Sequence, residues 1–111
     1  MSGASASSMP DPATQLARIY QAGFEIEQFE RFPQAVGIVR EGCMALLQST
    51  PNGLTMIGRP GWRMGEVMGL LVEKEGRWIF QAKREIVEAT QERIDTLKKF
   101  EADLQSLLTS A

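Results

Sequence analysis

Val67-Met68-Gly69-Leu70-Leu71-Val72-Glu73-Lys74-Glu75-Gly76-Arg77-Trp78-Ile79-Phe80-Gln81-Ala82-Lys83 decides how this chain folds. Its first half, taken with Met64, also fits helical spacing, because Met64, Val67, Met68 and Leu71 recur at i, i+3, i+4 intervals. Gly65 and Gly69 oppose the helix, each costing about 1 kcal/mol inside one. Lys74-Glu75-Gly76 reads as a turn, and the strand returning from it, Arg77 to Lys83, needs a neighbour to pair with. Val67 to Glu73 is therefore expected to be a strand. On the return, Trp78, Phe80 and Ala82 would face inward, with Arg77, Gln81 and Lys83 outward and Ile79 the exception.

Upstream, the hairpin reading propagates. Ala35 to Arg40 and Cys43 to Gln48 read as strands joined at Glu41-Gly42, and Thr50-Pro51-Asn52-Gly53 is a turn signal leading into Leu54-Thr55-Met56-Ile57. The first two of these strands are apolar on both parities, which predicts burial on both faces. Phe24 and Ile26 alternate with Glu25 and Glu27, and Phe29 breaks the alternation unless a bulge near Gln28 restores it, with continuation of the first helix through Phe29 as the alternative. Before them, Asp11-Pro12 suits the start of a short helix, Leu16, Ile19 and Tyr20 form its apolar stripe, and Gly23 suits its end.

Downstream, Ile86-Val87 would add a short strand and Thr90 would cap the last helix. Ile94, Leu97, Phe100, Leu104, Leu107 and Leu108 make a long apolar stripe there, with Glu92 and Asp95 in the early turns where the helix dipole favours anions. Parallel strands would need crossover helices that the chain does not supply. The expected fold is α+β: a short N-terminal helix, an antiparallel meander of about six strands, and a long amphipathic C-terminal helix packed on the sheet. A strongly bent sheet is one form, similar in element order alone to a pleckstrin-homology barrel. Residues 11–111 would form the single domain, and the Ser- and Ala-rich residues 1–10 a disordered tail.

Composition narrows the chemistry. The chain has 111 residues, 43% of them hydrophobic and 23% charged, which are ordinary globular values. It has no histidine and one cysteine, so the common zinc sites, Ser-His and Cys-His catalysis and an internal disulfide are excluded. Cys43 sits in the apolar run to Leu47, where a thiol is a core hydrophobe. No secretory signal or span-length apolar segment is visible, so a cytoplasmic protein is expected. No cofactor motif and no phosphate-cradling glycine run is present.

The net charge of −2 hides a segregation. Residues 57–84 carry six Arg or Lys against three acids, between flanks that are net acidic. Within that positive third lies Arg59-Pro60-Gly61-Trp62-Arg63-Met64-Gly65. Gly and Pro predict a loop there, projecting two arginines and an indole as anchors for a protein or for an amphipathic carboxylate. The structural alternative buries Trp62 in the edge of the core. Arg59, Trp62, Arg63 and Met64 are thus the candidate ligand- or partner-binding residues of a non-catalytic binding or adaptor domain.

An enzyme is the second class. Glu25 and Glu27 would share a strand face about 7 Å apart, and Glu66 adjoins the arginines. Any of the three could supply acid–base chemistry in a cavity lined by Met44, Met56, Met64 and Met68. A weaker alternative is contact with anionic lipid or nucleic acid through Arg59, Arg63, Arg77, Lys83 and Arg84. A dedicated nucleic-acid binder would carry a stronger basic stripe, which makes that partner an unlikely one on charge grounds. A homodimer through the C-terminal helix or the sheet would also suit the apolar stripe.

Overall fold

In a computed structural model, which describes residues 11–65 and 67–109, the chain runs helix, seven strands, helix. The elements are α1 (Pro12–Gln21), β1 (Glu25–Glu27), β2 (Val36–Arg40), β3 (Cys43–Thr50), β4 (Gly53–Met64), β5 (Val67–Lys74), β6 (Arg77–Ala82), β7 (Glu85–Glu88) and α2 (Gln91–Thr109). Every strand pairs antiparallel with the next, giving sheet order β1 to β7 and a half-barrel with α2 packed on it. The 67–83 segment is the expected hairpin, closed by the pair Lys74–Arg77. The segment 85–88 forms a full seventh strand. The tail 1–10, Glu66 and residues 110–111 lie outside the described residues.

Local chemistry sets the helix ends. Asp11 accepts a hydrogen bond from the Thr14 N–H at 3.2 Å, Pro12 opens α1, and Gly23 at φ +101° lets Phe24 turn back to bond the Ile19 carbonyl. Thr90 caps α2 by accepting from the Arg93 N–H at 3.2 Å. The stripe of α2 faces the sheet: Ile94, Leu97, Phe100 and Leu104 are buried with Ile19, Phe24, Ile38 and Phe80 in the main core. Leu107 and Leu108, farther along the same stripe, are partly buried against that core. Among the described residues no helix is long and apolar enough to cross a membrane.

Strands β2 and β3 are buried on both faces, as their double apolar parity implies. Cys43, Ala45 and Leu47 enter the main core, while Val39, Met44 and Leu46 face outward under Phe29 and Phe32. The chain leaves the sheet after Glu27, and no bulge at Gln28 extends β1. Phe29 instead folds over Gly37, where any side chain would overlap its ring.

Two inward assignments change. Tyr20 is 66% exposed, and the buried face of α1 is Gln15 with Ile19. The reason is a hydrogen bond: the Leu54 N–H donates to Gln15 Oε1 at 2.8 Å, so the helix rotates to bring the amide inside. Trp78 is 49% exposed, although Phe80, the next residue on its face, is fully buried. The hairpin outruns the cover of the helices toward its turn.

Candidate functional site

The stretch Arg59 to Met64 is not a projecting loop. It completes β4, and only Gly65, at φ +69°, belongs to a turn. Gly61 and Trp62 pair with Met44 and Cys43, and Trp62 to Met64 pair with Gly69 to Val67. Gly and Pro misled because they serve a bulge rather than a loop. Met44 opposes Gly61 and Leu46 opposes Ile57, so Gly58, Arg59 and Pro60 on β4 face the single residue Ala45. Gly58 takes φ +65°, and Pro60, which has no N–H to offer the ladder, is tolerated there.

Most of the aromatic and basic side chains of this stretch are engaged by the fold. Trp62 is half-buried and stacks on Phe80 with ring centroids 5.2 Å apart and planes 14° from parallel. The Arg93 guanidinium covers the indole at 5.6 Å, and Gly42 lies against it. Arg63 grips both carboxylate oxygens of Glu27, with Nη2 to Oε1 at 3.0 Å, and lies over the Phe29 ring at 5.2 Å. It thereby clips the Phe29 segment to the outer face of the sheet. Met64 packs against Gly69, Met68 joins the outer cluster, and Met56 packs on the main core.

Arg59 is the exception. The bulge carries it out of the ladder, exposed, to the rim of a groove of about 350 Å³. The groove exists because β4 and β5 separate: they pair only over Trp62–Gly69, Arg63–Met68 and Met64–Val67, after which β5 follows β6 alone. Leu70, Leu71 and Val72 form one wall, Arg59 and Pro60 the other, and Ile94 and Leu97 of α2 the floor. Lys98 and Glu101 stand on the helical rim. Among the described residues neither Arg59 nor Lys98 makes an ion pair. The arrangement can hold an apolar body on its floor and a negative charge at its rim.

The acid–base candidates are elsewhere. Glu27 is held by Arg63, Glu25 is exposed on the same outer face, and neither lines this groove or a shallower depression beside Ile79 and Ile86. Glu66 lies outside the described residues. Burial pushes the Cys43 thiol up to about 11, which keeps it protonated and a poor nucleophile. Among the described residues no group of three His, Cys, Asp or Glu side chains is placed to hold a metal ion. Sequence reasoning missed Leu70, Leu97 and Lys98, because only the parting of β4 from β5 brings them beside Arg59. No protein-family model matches the chain, and no curated protein or solved structure matches it either, so the site is read from its geometry alone.

Proposed function

We propose that the chain is a binding module that takes ligands with an apolar body and a carboxylate in the groove between β4, β5 and α2. The observation that carries this reading is the pair of cations, Arg59 and Lys98, that make no ion pair among the described residues and stand on the rim of an apolar floor. Arg59 offers planar bidentate donors to a carboxylate, and Lys98 adds a second positive charge from α2. Burying about 100 Å² of apolar ligand surface against Leu71, Ile94 and Leu97 would contribute roughly 2.5 kcal/mol before the costs of association. Glu101 is the one carboxylate among the groove's lining residues, so a pair of carboxylates for acid–base work is not assembled there. Of the residues suggested by the sequence, Arg59 is given the ligand role, while Trp62, Arg63 and Met64 belong to the paired part of β4 that follows the bulge.

The test is an amide chemical-shift titration with apolar carboxylates such as octanoate and indole-3-acetate, each beside its uncharged alcohol. Expected are shifts centred on Leu70 to Val72 and Leu97, stronger for the acid than for the alcohol and abolished by Arg59→Ala with Lys98→Ala. Shifts scattered elsewhere, or alcohols that bind as well as acids, would sink the reading.

A further inference from the structure

Resting on that reading of the groove, we infer that its occupant is an extended segment of a partner protein, with apolar and acidic residues alternating, which adds as a strand to the free edge of β5. Leu70, Leu71 and Val72 are consecutive, so their side chains point alternately to opposite faces, yet all three line one groove. Only a groove running along a strand edge can touch three such residues.

The register shows which backbone groups wait there. Glu75 and Gly76, at φ +54° and +79°, form a two-residue turn closed by Lys74–Arg77. The closing pair of such a turn is hydrogen-bonded, and bonded and non-bonded pairs alternate beyond it. The N–H and C=O of Leu70, Val72 and Lys74 therefore point to β6, and those of Leu71 and Glu73 point to the opposite edge of β5, which borders the groove at Leu71. The other hairpin agrees: counting from Met64–Val67 directs Val67 and Gly69 toward β4, in phase with Leu71 and Glu73. Beyond Gly69 no residue of β4 pairs with β5.

The facing edge of β4 is treated differently. The same alternation, counted from Thr50–Gly53, turns the Leu54 N–H away from β3, and there Gln15 supplies its acceptor. The fold thus supplies its own acceptor for a peptide group at the start of β4, whereas the β5 edge at Leu71 has no strand beside it, the form in which a sheet receives an added strand.

Shape and charge select the occupant. The split is bounded by strands on both sides and by α2 beneath, which selects a single extended segment, whereas the sheet edge of a second copy would bring its neighbouring strand into β4. Alternate side chains of an inserted strand would face Leu71, Ile94 and Leu97 and so be apolar. Those between them would face away from α2 and pass Arg59 on the β4 wall, and so be acidic.

The test uses the intact chain with a fluorescein-labelled peptide in which valine and glutamate alternate, read by fluorescence anisotropy and amide hydrogen exchange. Saturable binding is expected, with exchange slowed at Leu71 and Glu73, and Arg59→Glu weakening it about tenfold. Methylating the peptide nitrogens that meet β5 should weaken it about fivefold for each bond lost, which ordered binding through side chains alone would not do. Octanoate that binds with dependence on Arg59 while the peptide does not would overturn strand addition and leave the carboxylate groove standing. Failure of both ligands would remove both ideas. Peptide binding unaffected by N-methylation, or a chain that dimerises in proportion to peptide bound, would also overturn strand addition.

Discussion

Replacing Trp62 with alanine should destabilise the domain by about 3 kcal/mol. Truncating a core aromatic to alanine costs about 3–5 kcal/mol, and an aromatic stack adds about 0.5–1.5 kcal/mol beyond area. Trp62 is half-buried, which argues for the lower end, but it is enclosed by Phe80 at 5.2 Å, Arg93 at 5.6 Å and the Gly42 backbone. Few of these neighbours can move in to fill the space, since Phe80 is itself fully buried. With a urea dependence of about 2 kcal/mol per molar, the unfolding midpoint should fall by about 1.5 M at unchanged slope. Trp62→Phe keeps a ring on Phe80 and should lose only about 1 kcal/mol. Equilibrium urea unfolding followed by far-ultraviolet circular dichroism reads both variants. A loss below about 1 kcal/mol for the alanine variant would refute the reasoning and return the indole to the role of a surface anchor.

Gln15→Leu leaves the buried Leu54 N–H without its acceptor, so a loss of about 1–3 kcal/mol is expected, together with faster amide exchange at Leu54 than global unfolding explains. Unchanged exchange at Leu54 would contradict the edge-capping role. Hydrogen bonds from Lys99 and Arg40 hold the Asp103 carboxyl below its ordinary 3.8. A carboxyl depressed in the folded state stabilises above its unfolded value, and the contribution is lost as the pH falls through the folded one. Asp103→Asn should therefore be the less stable protein at neutral pH and converge with the parent in acid below 3.8, as followed by thermal unfolding across pH. A gap that is independent of pH would show that Asp103 acts by packing.

Local signals located most of the elements because their causes are local. Asp11 and Thr90 cap helices by bonding N–H groups three residues on, and Gly42, Gly53 and Gly76 take at the three hairpin turns the positive φ that glycine accepts. The α2 stripe and the double apolar parity of β2 and β3 reported their burial directly. The site was harder to read. Pro60 and Gly61 in a row resemble a loop, and nothing in the chain marks Gly58 to Pro60 as a bulge opposite Ala45 within a continuing strand. Trp78 and Tyr20 carry the right spacing for burial but lie outside the cover of their neighbours.

By itself the sequence determined the element order, the antiparallel meander, the absence of histidine chemistry and the presence of a basic-aromatic stretch in the middle of the chain. All of these follow from residue identity, from periodicity or from hydrogen bonds that close within a few positions. The tertiary structure alone decided that Trp62 stacks on Phe80 and Arg63 pairs with Glu27, that Arg59 makes no ion pair among the described residues, and that β4 and β5 part above α2. Those outcomes depend on which surfaces meet across dozens of residues: Arg63 finds Glu27, Gln15 finds Leu54, and Leu70 comes to stand opposite Leu97. Hydrophobic periodicity says that a side chain will be covered, but it carries no information about what covers it or where the cover ends.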